Sequence, residues 1–135
     1  MMRIQTIQPP SWAQPKGYAN GVLVKDPSRF VYTAGQIAWD SEQNLVGLGD
    51  FVAQFRQALS NVLVIVRQAG GQPQHLVRLT IYVSDKDAYL STAKELGTVY
   101  RELMEGHYPA MALVQVAALL EEGAMIEIEG TAALP

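Results

Sequence analysis

Three short stretches of this chain carry residue types suited to chemistry on a small molecule. Tyr18 stands between Gly17 and Ala19 in a proline-punctuated arm, where its phenol can donate to or accept from a ligand. Thr33-Ala34-Gly35-Gln36 sets a glycine at the end of an apolar run, and a residue without Cβ lets a ligand approach the backbone; a β-bulge is the purely structural alternative. Glu127 alternates with isoleucines in Ile126-Glu127-Ile128-Glu129. Facing a subunit boundary, such a carboxylate holds water or accepts a proton; facing solvent, it only decorates an edge. Other chemistries find no support. The chain has no cysteine, so thiolate metal sites, disulfides and a cysteine nucleophile are excluded. His75 and His107 lack metal-ligand spacing, so no metal is expected, and no phosphate-binding glycine loop or nucleophile elbow is present.

These residues need elements to hold them. Gly21 to Lys25 and Arg29 to Gln36 read as strands joined through the turn signal Asp26-Pro27-Ser28, which predicts a hairpin; Arg3 to Ile7 adds a short strand in the arm. Phe51, Phe55, Leu59, Val62 and Val66 form one apolar stripe, so Asp50 to Ala69 reads as a helix with Asp50 as cap and Gly70-Gly71 as stop. Leu76 to Val83 is a strand whose aliphatic face, Val77, Leu79, Ile81 and Val83, is expected to meet the helices. A second helix is expected from about Lys86 to Met104 on the stripe Leu90, Ala93, Leu96, Tyr100 and Leu103. Two strands close the chain, roughly Ala110 to Leu119 and Ala124 to Ala132. This order predicts one α+β domain over residues 1–135, with two helices on one face of a mixed sheet.

Nothing in the sequence is left over to cover the sheet's other face, and composition agrees. Of 135 residues, 49% are apolar and only 17% charged, against roughly 25% charged in an ordinary soluble domain. Scarce charge on a small domain points to surface that meets another chain. Ten Lys and Arg face seven acids through residue 101, whereas residues 102–135 hold six acids and no base. The acidic balance and the lack of interleaved basic and aromatic residues argue against nucleic acid as a partner. No aliphatic run is long enough to span a bilayer and no secretory signal is visible, so a cytoplasmic protein without a membrane partner is expected.

The ensemble of Gly17-Tyr18 with Gly21, Thr33-Ala34-Gly35-Gln36-Ile37, Gln54, Gln57 and Asn61, Ala69-Gly70, Val77 to Asp85, Pro109-Ala110 and Ile126 to Glu129 resembles the RidA/YjgF/endoribonuclease L-PSP family over nearly the whole chain. The resemblance implies a fold similar to trimeric chorismate mutase. In it, three sheets turn inward and a small-molecule cleft lies at each subunit boundary of the homotrimer. It also implies hydrolysis of imines or enamines to a keto compound and ammonia without a cofactor, with Tyr18 and Glu127 as catalytic residues. Ala34, Gly35, Met111, Leu113 and Gln115 would line the ligand site.

Two of these positions depart from the family. Its carboxylate-binding arginine falls at Met111, and its hydroxyl residue before Gly-Gln falls at Ala34. Methionine has neither charge nor donor, and a lost charge-assisted bond is worth roughly 1.5–3 kcal/mol. The expected enzyme is therefore a hydrolytic deaminase of an imine, enamine or related carbonyl compound other than the standard 2-imino acids. A non-catalytic ligand-binding or regulatory trimer is the alternative, with ribonuclease or translation-inhibitor activity third. Lys16, Arg29, Arg78 and Lys94 are the cations available to replace the arginine; Lys94 also falls nearest the position of an asparagine common on the family's second helix.

Overall fold

Asp50 accepts a hydrogen bond on Oδ1 from the Ala53 amide at 3.1 Å, which satisfies one of the amides that a helix start leaves unpaired. In the computed structural model, which describes residues 1–135, the helix so opened is α1 (Phe51–Gln68). Its stripe of Phe51, Phe55, Leu59, Val62 and Val66 is buried. Each large side chain of this kind contributes about 1.5–3 kcal/mol on leaving water, so the stripe fastens the helix to the sheet below.

In chain order the strands are β1 (Arg3–Ile7), β2 (Gly21–Lys25), β3 (Arg29–Tyr32), β4 (Leu76–Val83), β5 (Ala110–Gln115) and β6 (Ile126–Leu134). Two more helices, α2 (Lys86–Ser91) and α3 (Ala93–Met104), lie between β4 and β5, and a 3₁₀ turn (Pro73–His75) precedes β4. The main sheet runs β3-β6-β4-β5, with β5 parallel to β4 and the other pairs antiparallel; β1 and β2 form a separate two-stranded sheet. The fold is α+β with a mixed sheet and three helices. Its core joins α1 and α3 to Leu79, Ile81, Val83, Ile126 and Ile128. No helix is long and apolar enough to cross a membrane.

Several expectations need correction. The predicted hairpin of β2 with β3 does not form, because β2 pairs with β1 and β3 pairs with β6. The turn at Asp26-Pro27-Ser28 passes the chain from one sheet to the other, where the Ser28 amide bonds to Leu134 O at 2.9 Å. The second helix is two helices, broken at Thr92 (φ −113°, ψ 15°), whose Oγ1 donates to Ala88 O at 2.7 Å and so competes with the backbone ladder. Of its stripe, Leu90 is 61% exposed and Ala93 is also exposed, while Val99 and Met104 join the core instead.

Along β4 the strict alternation fails at one point. Leu76 is fully buried, although counting back from Leu79 in twos puts it on the outer face. The β4–β6 register slips between Leu76 and Arg78, so Val77 is an extra residue and Leu76 turns inward. The closing strands also shift, β5 stopping at Gln115 and β6 running on to Leu134.

A buried amide organises the loops around α1. Gln54 has no exposed surface; its Nε2 donates to Gly47 O (3.1 Å) and Gly123 O (3.0 Å), and its Oε1 accepts from the Met125 amide (2.8 Å). A Gln54→Leu variant leaves the Gly123 carbonyl and the Met125 amide without partners, while Gly47 O keeps the Asp50 amide at 2.9 Å. We expect it to lose about 2–4 kcal/mol of unfolding free energy in urea titrations. A loss below about 1 kcal/mol would show that the loops do not depend on this side chain.

Candidate functional site

The sequence-predicted residues fall into two clusters on opposite faces of the sheet. Met111 and Leu113 stand beside Leu79 and Ile81 in the β4–β5 register and pack against the core, so they share the helix-covered face. Glu127 stands beside Tyr82, and its neighbours Ile126 and Ile128 are fully buried, so it projects from the other face. That second face is open, with Phe30 51% and Tyr32 74% exposed.

On the helix face, a cleft of about 490 Å³ lies between α3, β5 and the arm. The Ala19 amide donates to Pro109 O at 3.0 Å and Ala19 bridges Ala110 in parallel, so the arm borders the free edge of β5. This docking brings Tyr18, 41% exposed, into the cleft with Met111 and Leu113. Tyr89, Tyr100 and Tyr108 add aromatic surface, Tyr100 and Tyr108 being stacked with centroids 5.0 Å apart. Burial pushes the Tyr100 phenol well above its usual pKa, and its hydroxyl donates to His107 O at 2.7 Å. It is a fixed neutral group, unsuited to moving a proton.

On the open face, Gly35 and Glu127 touch. The pairing of Thr33 with Gly130 and of Gln36 with Ile128 leaves two residues, Ala34 and Gly35, opposite the single Glu129, which is a bulge. A Cβ built on Gly35 would lie 2.5 Å from Glu127 Oε2 and 2.7 Å from its Cδ, so any side chain there would displace the carboxylate. The bulge reading of this glycine therefore holds, and the group lying against it is the Glu127 carboxylate. Glu129 is engaged elsewhere, accepting from Tyr82 Oη at 2.9 Å, and this bond holds the Tyr82 phenol above its ordinary pKa. Glu127 accepts no such side-chain bond and lies against Gly35.

The bulge is held from α1. Asn61 Nδ2 donates to Trp39 O at 2.8 Å and Ile37 O at 3.2 Å, and Gln57 Nε2 donates to Trp39 O at 3.2 Å and Asn61 Oδ1 at 2.9 Å. Sequence reasoning quoted these amides as matches without giving them a task; they position the segment that follows Gly35.

The remaining expectations fare differently. Gln115 does not line the cleft: its Oε1 accepts from the Lys86 amide at 2.9 Å, holding the start of α2. Of the four candidate cations only Lys16 lines the cleft. Arg29 turns to Ala69 O and Pro135 O, Arg78 borders a polar hollow on the open face, and Lys94 is exposed elsewhere. Arg101, which sequence reasoning passed over, lines the cleft as well. The available signal was its spacing, four residues after Gly97 on the same helix face. His107 Nε2 donates to Leu76 O at 2.7 Å, His75 Nδ1 accepts from the Gln72 amide at 2.9 Å, and no group of three potential metal ligands is present.

An α+β domain of this topology defines a class, and comparison with known proteins agrees on the fold. The model of the family described as endoribonuclease L-PSP matches residues 12–134, and the chain belongs to that RidA/YjgF family. The 2-iminobutanoate/2-iminopropanoate deaminase of Capra hircus is 31% identical over 129 residues, covering 96% of this chain and 87% of its own. Among solved structures, the Rid family protein YyfB of Yersinia pestis, of unknown function, superposes with TM-score 0.85 at 34% identity, over 97% of this chain and 98% of that one. TdcF of E. coli, solved with bound serine, gives TM-score 0.70 at 26% identity over 97% and 99%.

The Gly35–Glu127 contact is testable without knowing a substrate. We expect Gly35→Ala to destabilise the wild type by about 1–3 kcal/mol, the usual range for overpacking, and to cost much less in a Glu127→Ala background. Equal costs in the two backgrounds would show that the glycine is required for its backbone alone.

Proposed function

We propose that the chain is a cofactor-independent hydrolytic deaminase of an imine or enamine, working as a homotrimer arranged like trimeric chorismate mutase. The observation that carries this reading is the division of the site. One chain presents Tyr18, Met111 and Leu113 in a cleft at one edge and Glu127 with Gly35 on an open sheet face. A neighbouring copy set with its open face against that edge would supply what each half lacks. Such closed symmetric assembly also covers the exposed Phe30 and Tyr32. The relatives named as imine deaminases, and one that holds a free amino acid, support a small nitrogen-bearing ligand.

In this proposal Glu127, against the Gly35 backbone, takes a proton from water as the oxygen attacks the imine carbon. Glu127 passes that proton to the imine nitrogen, giving the carbinolamine. The carbinolamine's hydroxyl proton then moves to nitrogen through the same carboxylate as the C=O bond forms and the C–N bond breaks, releasing ammonia and the carbonyl compound. Tyr18 lies on the cleft side, where its phenol can hydrogen-bond the reacting nitrogen or oxygen. Met111 contributes packing alone at the family's arginine position, so small 2-imino acids lose their anchor.

The test follows imine decay after oxidases release imines from amines and amino acids, beside 2-aminocrotonate made by a threonine dehydratase. We expect wild type to speed the decay of at least one bulky imine, and Glu127→Gln to slow it by roughly two orders of magnitude or more. On 2-aminocrotonate we expect weak activity that Met111→Arg raises about tenfold, equivalent to regaining roughly 1.4 kcal/mol of anchoring. No acceleration of any imine overturns the enzyme reading in favour of a binding trimer. Wild-type activity on 2-aminocrotonate equal to that of an arginine-bearing relative overturns the role given to Met111.

A further inference from the structure

The cleft has a charge pattern that the substitution at position 111 does not explain. Two of its lining residues are charged, Lys16 and Arg101, and both are cations; no carboxylate lines it. The six acids of residues 102–135 therefore lie outside the cleft, although Tyr108, Met111 and Leu113 of the same stretch line it. Neither cation has an ionic partner, since the chain's one ion pair joins Arg56 to Glu102 at 2.8 Å. Two unpaired like charges bordering one apolar hollow create a positive potential that favours an anion.

Local sequence explains how Arg101 reaches the hollow. A side chain on a helix leans toward the N-terminus, over the residue four places earlier. For Arg101 that residue is Gly97, and the guanidinium Nη1 lies 3.2 Å from where a Cβ on Gly97 would stand. A side chain at 97 would make the guanidinium give way by a few tenths of an ångström. The glycine, which weakens the helix by ~1 kcal/mol relative to alanine, is thereby given a task.

The rest of the cleft selects the body of the ligand. Four tyrosines line it, and the Tyr100–Tyr108 stack, with rings inclined by 17°, offers a flat aromatic wall. A volume of about 490 Å³ is far more than a three- or four-carbon acid fills. We propose that Arg101 and Lys16 form a relocated anion site, so that the cleft selects carboxylates with a bulky apolar or aromatic body. The inference rests on the cleft being the ligand site proposed above, and it names the substrate class as 2-imino acids with large side chains.

Calorimetric titration of the purified protein at low salt with 3-phenylpropanoate, its neutral amide and propanoate tests the proposal. We expect 3-phenylpropanoate to bind at least about tenfold more tightly than either of the others, since one charge-assisted contact is worth that much. Arg101→Gln should remove most of the preference for acid over amide. Lys16→Gln should reduce it in part, and Arg101→Lys should retain some of it. Equal affinity for acid and amide in wild type, or a preference that survives the Arg101→Gln/Lys16→Gln double variant, overturns the proposal. Both residues are exposed, so the variants should fold, which circular dichroism checks. Acid-selective binding without imine turnover supports this inference and sinks the hydrolytic reading. Turnover of neutral imines with no acid preference overturns this inference and leaves hydrolysis standing.

Discussion

Three amides on α1 constrain everything around the Gly35–Glu127 contact. Gln54 binds the Met125 amide just before β6, while Gln57 and Asn61 bind the carbonyls of Ile37 and Trp39 just after the bulge. Both partners of the contact thus hang from one helix, whose opposite side is fixed by the hydrophobic core. Buried polar groups are costly unless paired, and here the pairing sets the position of two loops that lack regular structure. The helix carries two periodic messages at once, an apolar stripe for the sheet and an amide row for the loops.

The second constraint is the alternation of a strand. Because neighbouring side chains leave opposite faces, β5 can offer Met111 and Leu113 only to the helix side, while β6 offers Glu127 only to the open side. No side-chain motion within one chain reconciles the two. The proposed trimer resolves this by symmetry, and it gives the low charge content a use, since part of the surface then faces protein. Replacement of a charged anchor at position 111 by methionine becomes intelligible if the anchor's work is done from α3 and the arm.

Much of the fold was legible in the sequence because long periodic runs are unambiguous. The stripe of α1 and its Asp50 cap, and the existence of β4 and β6, came from spacing alone. What was not legible depended on single residues or on distant partners. The extra residue Val77 reverses the phase of one strand end, and the hydroxyl of Thr92 breaks a helix that propensity would continue. The partner of β2 was misread because a turn signal says where a chain bends, not which strand receives it. The clustering of Tyr18 with Met111 and Leu113, and of Gly35 with Glu127, depends on the docking of the arm at β5 and on strand pairing between distant segments, which spacing along the chain does not show. Gln115 was misplaced since strand phase gives a face but not the neighbour that captures a side chain. Arg101 was missed because its place beside the cleft follows from how α3 lies across the cleft from β5, and Gly97, over which it lies, was read only as a weakness in the helix.

The central claim is that a working site takes its cleft from one copy and its glutamate from the next. Mixing chains most directly tests it, with Met111→Trp filling the cleft in one chain and Glu127→Gln disabling the other. Each variant alone should be inactive on an imine that wild type hydrolyses, whereas an equimolar mixture reassembled from unfolded chains should recover about a quarter of the wild-type rate, the fraction of boundaries in a random cyclic trimer that pair an open cleft with an intact glutamate. A mixture as inactive as its components, despite subunit exchange shown by mass spectrometry, would contradict a site shared between subunits.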